Sequence, residues 1–331
     1  MKRNGRKQVC QWALALLAGF FIVNALCFAY ERQPGWLYTP DGPSASVWRP
    51  GAVIVHGTEG YGISKVDENG FLNADGTLAE RYALMMGASH TQGKEVSPEQ
   101  RYSALVNDYF SGDSGLLTAY NIASDGHFLP SQIHHFRAAL EAFPNAGAVT
   151  IEIGSTDYSA QELRDARNQA VYAPGNGFND LSPVSRLKLA AKEGLPLLTL
   201  LKKNVQTLRA QAAEGAEDLY DYETELDAAL ALIRSEFDGP IAFVHHPTTS
   251  LASDGTLQLG YSDTWEAFCR LCEKHGIDVI DTGSRFQKLY ETEGQLPYGF
   301  ANTAPGEGHL NALGHRILAE EIIAYLEELR V

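Results

Sequence analysis

Five short apolar or alternating runs, each closed by a turn or loop, punctuate this chain: Ala83–Met86, Ala119–Ile122, Ala148–Ile153, Ile241–Val244 and Ile277–Ile280. Runs of four to six residues are too short for buried helices and read as strands covered on both faces. Between them lie stretches with helical spacing. Ile133, Phe136 and Leu140 form one stripe, Leu226, Leu230, Ile233 and Phe237 a second, and Leu318, Ile322, Tyr325 and Leu329 a third. Strands alternating with helices predict an α/β fold: a three-layer α/β/α, flavodoxin-like arrangement with a five-stranded parallel sheet. Its 331 residues suffice for one large domain of this kind.

Two additions to that plan are visible. A small N-terminal β prelude is expected from Ala52–Val55 and the turn signal at Asn69-Gly70. A helical insertion is expected over about residues 158–218. It holds a polar loop (Tyr172 to Asp180), a helix capped by Ser182 with Pro183 in its first turn, and the apolar run Leu195 to Leu201. A lid, a membrane-facing element and a packing appendage all fit this composition. Ser131 is expected to cap the helix that follows the second strand.

The first seven residues carry Lys2, Arg3, Arg6 and Lys7 and no acid, and residues 9–30 are almost wholly apolar. That length crosses a bilayer as one helix, with the basic flank (1–8) cytoplasmic and the remainder outside. A cleaved signal peptide is the alternative, with Cys27 and Ala29 at the small-residue positions. Residues 31–50, with four prolines, read as a linker ahead of a domain over 51–331. Lys+Arg total 26 against 41 Asp+Glu, and four of the basic residues sit in the leading segment. An outer part that acidic disfavours nucleic acid and anionic lipid headgroups as partners. Cys269 and Cys272 form a CxxC, but with Trp265 and Phe268 they complete a helical stripe, which reads as structural.

The strand ends carry the chemistry. Ser89 follows the first strand in a Gly-rich turn, Gly126 follows the second, Thr156 and Asp157 the third, His245 and His246 the fourth, and His309 the loop after the fifth. In a doubly wound sheet these ends meet on one rim. A serine needs a base to become a nucleophile, and a serine, a histidine and backbone donors on one rim are the parts of an acyl-transfer site. Glu152, an acid inside a central strand, has no partner assignable from sequence. His134 and His135 read as structural residues on a helix and His315 as a cap or packing residue of the last one, and no metal-ligand spacing is present.

These blocks resemble the SGNH/GDSL hydrolase superfamily, in its membrane-anchored extracytoplasmic form. Gly87-Ala88-Ser89-His90-Thr91-Gln92-Gly93 is similar to the first block, Gly154-Ser155-Thr156-Asp157 to the third, and Gly306-Glu307-Gly308-His309-Leu310-Asn311 to the last. The flanks around Asn69-Gly70-Phe71 and Glu99-Gln100-Arg101-Tyr102 add to the likeness, which covers roughly residues 66–331. The resemblance implies catalytic Ser89 and His309, with Glu307 beside His309 because Gly306 stands where the family has its Asp. It implies an oxyanion hole from Ser89, Gly126 and Thr156, with Thr156 in place of the family's Asn. His90, His127, Asp157, His245 and His246 are expected to line the substrate pocket, with no metal and no cofactor. The activity implied is a serine esterase removing O-acyl groups, O-acetyl above all, from cell-wall or exported polysaccharide. An O-acyltransferase using the same acyl-enzyme and a non-catalytic glycan-binding or assembly protein are the alternatives. The expected partners are an acylated carbohydrate and, through the N-terminal helix, the membrane.

Overall fold

Side chains of successive residues on the strand before Ser89 point to opposite faces, and both faces are buried. A computed structural model of the chain describes residues 2–173, 178, 181–198, 200–201 and 220–329. Helix α1 (Lys2–Tyr30) leads the chain, and its Lys7–Tyr30 portion is long and apolar enough to cross a membrane. Strands β1 (Trp36–Tyr38) and β2 (Ser46–Trp48) then pair antiparallel. The segment expected as a linker therefore carries structure, and its prolines end short strands instead of preventing them. A second hairpin, β3 (Val53–His56) and β4 (Gly62–Lys65), is the prelude. Trp48, Ala52, Ile54, Val66 and Leu72 form a small core for this N-terminal part.

The main body runs through β5 (Thr77–Met86), α2 (Ser89–Gln92), α3 (Tyr102–Ser111), β6 (Leu116–Asn121), α4 (Leu129–Ala142) and β7 (Ala146–Ile153). Helices α5 (Ala160–Ala166), α6 (Pro183–Gly194) and α7 (Tyr222–Glu236) follow, then β8 (Ile241–His245) and a hairpin of β9 (Thr248–Leu251) and β10 (Leu257–Gly260). The chain closes with α8 (Trp265–Lys274), β11 (Asp278–Asp281), α9 (Gly283–Glu293) and α10 (Ala312–Glu328).

The five-stranded sheet has the order β11-β8-β7-β5-β6, and every neighbouring pair is parallel. Both the class and the strand count agree with the alternation of runs. From β5 the chain goes to β6 on one side and then to β7 on the other. The crevice at such a reversal, outside the carboxyl ends of the strands, is where open α/β sheets hold ligands. Leu84 and Met86 of β5 pack with Val149, Ile151 and Phe243 under α4, α5, α7 and α8. Met85, between them in sequence, joins Tyr102, Val244, Phe286 and Leu318 under α3, α9 and α10. This is the period-two alternation of a strand with two buried faces.

Several local expectations shift. Helix α4 begins at Leu129 behind Phe128, with Pro130 in its first turn, so Ser131 lies inside the helix and is not its cap. Ser182 does cap α6, accepting from Ser185 N–H. Helix α9 has no sequence signal because among its eleven residues the only buried large apolar side chains are Phe286 and Leu289. Cys272 is buried and Cys269 half-buried on α8, both as free thiols, and burial pushes the Cys269 thiol up to about 11. A thiol in that state is not a redox nucleophile. Of the helical insertion, residues 174–177 and 179–180 of the expected polar loop, residue 199 of the apolar run and residues 202–219 lie outside the described residues.

Candidate active site

Ser89 opens α2 directly beyond the end of β5. Gly87 leads into the turn, and a Cβ there would meet Thr91 Oγ1 at 1.9 Å, so only glycine allows so sharp a reversal. Gly93 ends α2 in the left-handed region at φ 62°. Starting a helix at Ser89 leaves its first N–H groups without intrahelical acceptors. Among the described residues neither Ser89 N–H nor Gly126 N–H has a hydrogen-bond acceptor.

The turn is held from beneath by Glu152 of β7. Its Oε2 accepts from Ala88 N–H at 2.8 Å and from the Thr91 hydroxyl at 2.9 Å. Its Oε1 pairs with His246 Nε2 at 2.8 Å, and both side chains are 2% exposed. Burial alone would raise this carboxyl. The His246 bond and charge and the Ala88 N–H outweigh it and hold the group down to about 2. Tyr102 OH donates to Thr91 Oγ1, and Asn121 Nδ2 donates to Thr91 O. A buried ionised acid needs such a set of partners. An isolated Glu within an apolar strand was the sequence signal for this anchor, but not for what it anchors.

His309 Nε2 lies 2.9 Å from Ser89 Oγ. Glu59 Oε2 lies 2.7 Å from His309 Nδ1, and Glu59 Oε1 accepts from His309 N–H at 2.6 Å. The acid expected at Glu307 is thus supplied by the turn between β3 and β4, while Glu307 is an exposed residue. The two loops are clamped by Asn302, which accepts from Gly60 N–H and donates to Gly57 O and Gly60 O. Sequence reasoning missed Glu59 because nothing local links a hairpin turn to a loop 250 positions away. An acid set between Gly57 and Gly60 was the available hint.

Electrostatics suit a base. Burial would lower the His309 pKa, but the Glu59 bond and the charges of Glu95 and Glu59 raise it above the usual histidine value. Glu59 is pulled below the usual carboxylate range, as its bonds to the His309 ring and backbone outweigh burial. Such a carboxylate fixes Nδ1 as the protonated nitrogen and leaves Nε2 free to take a proton from Ser89.

A second buried carboxylate lies alongside. Glu95 Oε1 is 3.8 Å from His309 Nε2 and 3.8 Å from His56 Nε2, while His56 Nδ1 is 3.4 Å from Glu31. Glu31 directly follows α1, so three contacts connect the end of that helix to the serine–histidine pair.

The other expected site residues separate into two groups. His90 stays at the centre, its ring 4.4 Å from that of His246 and 5.0 Å from that of His309, and its Nδ1 accepts from Leu310 N–H. Burial, then the His246 charge, lowers its pKa far below the usual value, so it is a neutral ring wedged against that of His309. His246 reaches the site through Glu152. The remaining three are engaged elsewhere. His127 is fully buried against Ser44 and His135, His245 pairs with Asp281 and stacks on Trp265, and exposed Asp157 accepts from the Thr264 hydroxyl. Thr156 is fully buried, with its N–H donating to Ser262 Oγ and its hydroxyl paired to Thr264 Oγ1 at 2.8 Å. No group of three or more potential metal ligands occurs among the described residues.

No family model matches the chain, and no curated protein matches it. Solved structures similar to it include a two-domain esterase active on acetylated mannans, at 13% identity over 75% of this chain with a TM-score of 0.42. The chain spans about half of that esterase, 49% of its length. An α/β hydrolase from the metagenome of Lake Arreo, Spain, matches at 14% identity over 75% of this chain and 95% of its own, with a TM-score of 0.40. A psychrotrophic esterase from Pseudoalteromonas sp. matches at 11% identity over 76% of this chain and 98% of its own, also with a TM-score of 0.40.

Proposed function

We propose that this chain is a membrane-anchored, outward-facing serine esterase of the SGNH/GDSL type that removes O-acyl groups, O-acetyl foremost, from cell-wall or exported polysaccharide. The observation that carries the reading is the continuous relay from Glu59 through His309 to Ser89, with contacts of 2.7 and 2.9 Å. A surface serine has no reason to face a histidine that is itself oriented by a carboxylate. The apolar α1 supports the location, and the location together with the family resemblance suggests the substrate class.

Ser89 Oγ attacks the ester carbonyl carbon while His309 Nε2 takes the hydroxyl proton. Glu59 stabilises the imidazolium without taking the proton. The Ser89 and Gly126 N–H groups donate to the developing oxyanion, the term on which acyl transfer depends most. Collapse of the tetrahedral species breaks the bond to the sugar oxygen, which leaves with the proton from His309. Water, deprotonated by the same histidine, then attacks the acyl-enzyme and frees the carboxylic acid and Ser89.

Fluorophosphonate labelling of the full chain tests the reading. Labelling of the wild type that is lost in Ser89→Ala and in His309→Ala is the expected result, followed by acetate release from acetylated sugars. A folded wild type that neither labels nor turns over such esters would refute it. Product formed only when an acceptor sugar is added would reassign the same acyl-enzyme to transfer.

A further inference from the structure

Asn24 lies inside the apolar span of α1, yet both ends of its amide are bonded to a distant part of the chain. Its Nδ2 donates to Gly194 O at 3.0 Å and its Oδ1 accepts from Leu197 N–H at 3.3 Å. Gly194 O is a carbonyl of the last turn of α6, and Leu197 N–H is an amide in the first turn of the helical stretch that begins at residue 196, so neither has a partner within its own helix. A polar side chain within an apolar span, and unpaired helix-end backbone groups at the same depth, are each tolerated in a bilayer only when satisfied by protein. Here each satisfies the other.

The depth follows from helix geometry. With Lys7 at the inner boundary, about 20 residues at 1.5 Å each span the ~30 Å hydrocarbon layer, which puts the outer boundary near residue 28. Asn24 is then about 6 Å inside that boundary. Glu193, one residue before Gly194, bonds upward to Gly35 N–H and to Arg49, and Lys192 sits over the Trp36 ring at 5.5 Å. Charged partners and an aromatic ring at this level are what an interface holds. Beyond it, Leu198 and Leu201 are 48% and 54% exposed.

We propose that residues 194–198 and 200–201 dip into the outer leaflet beside α1, tethered by Asn24, with α6 lying along the headgroups, so that the domain stands on lipid at two points. The occupant of this apolar face is lipid, because the face is continuous with a helix whose own surface is built for lipid. The inference goes beyond the esterase reading, though it rests on the anchor included there. Its consequence is that Ser89, four contacts from the end of α1, works close to the bilayer surface.

The test uses the full chain in proteoliposomes, with Cys10, Cys27 and Cys269 replaced by Ser and the buried Cys272 retained. An environment-sensitive fluorophore is attached at Leu198→Cys, at Leu201→Cys, or at Leu329→Cys beyond the far end of α10. Nitroxide placed high on the lipid acyl chains is expected to quench the first two strongly and the third not at all. Absence of quenching at 198 and 201 in a carbonate-resistant chain would overturn the proposal. So would shielding from aqueous iodide without quenching by lipid nitroxide, since a protein and not lipid would then cover the face. A chain released by carbonate would overturn it through the anchor, while fluorophosphonate labelling would show separately whether the esterase reading stands. Asn24→Leu should abolish quenching at 198 with the chain still membrane-integrated, and persistent quenching there would overturn the tether.

Discussion

Glu59 Oε2 and His309 Nδ1 stand 2.7 Å apart, and Glu59 also holds the His309 backbone N–H. The carboxylate therefore fixes both the tautomer of the ring and the position of the loop. Glu59→Gln keeps the shape but presents either a neutral acceptor or the wrong donor. By the logic of a carboxylate-oriented histidine, kcat should fall by about 10³–10⁴. Glu307→Gln should leave it unchanged. Initial rates on an activated acetate ester, with circular dichroism to verify folding, decide between the two acids.

The pH profile follows from the same pair. Proton abstraction from Ser89 requires neutral His309, whose pKa is raised by Glu59 and Glu95 against burial. The acid limb of kcat/KM should therefore lie above the ordinary histidine value of about 6.5. Stability runs the other way. A raised histidine contributes stability fully below its unfolded pKa and loses it as pH rises through the folded one, whereas lowered Glu59 contributes only above its unfolded value. The ion pair thus stabilises most at mildly acidic pH, below the range of activity. In Glu59→Gln the acid limb should move to lower pH. A limb that stays in place would separate His309 from the observed titration.

Glu152 is a positioning residue, and its two nearest substitutions should diverge. Glu152→Ala leaves Ala88 N–H, the Thr91 hydroxyl and His246 without their partner. Breaking a buried pair of this kind costs about 3–5 kcal/mol. A lower thermal midpoint and weak fluorophosphonate labelling are expected together. Glu152→Gln retains an oxygen for Ala88 and Thr91 and a donor toward His246, so most of kcat should return. If Gln is as inactive as Ala, the charge and not the hydrogen bonding is what the turn requires.

Sheet, layers and the turn that carries Ser89 were legible because each depends on local patterning. Met85 and Met86 point oppositely in any strand, and Gly87 and Gly93 bracket Ser89 whatever surrounds them. The last block gave His309 for the same reason. Glu59 was not legible, since its role exists only once a hairpin turn and a C-terminal loop are clamped by Asn302. The expected pocket residues divide along the same line. Strand ends share a rim, but side-chain direction and burial send His127 and His245 into their own polar clusters and leave His90 and His246 near Ser89. Residues 31–50 look like a linker by proline content, yet short antiparallel pairs need only three residues between breakers.

Thr156 offers a sharp test of what the sequence likeness implied. An oxyanion donor is worth about 10²–10³ in rate when removed. The Thr156 hydroxyl is instead paired with Thr264 Oγ1, which also donates to Asp157. Thr156→Val should therefore fall far short of that loss, with any effect appearing in stability. A hundredfold drop in kcat at unchanged thermal midpoint would return Thr156 to the oxyanion hole.

Gly308 controls the acid without touching the reaction. It sits at φ 79°, and a Cβ there would lie 2.1 Å from Glu59 Oε1. The obstacle is the end of a flexible side chain, so Gly308→Ala can fold by displacing the carboxylate from His309. Left-handed backbone at a non-glycine residue costs about 1–3 kcal/mol in itself. Gly294→Ala isolates that cost, because Gly294 has φ 65° with nothing within 4 Å of its Cβ. Both variants should lose stability, Gly308→Ala the more because it also gives up the Glu59 contacts to His309. Only Gly308→Ala should lose kcat and shift the acid limb downward, as Glu59→Gln does. Equal kinetics in the two variants would mean that the Glu59 contact to His309 is not what sets the rate.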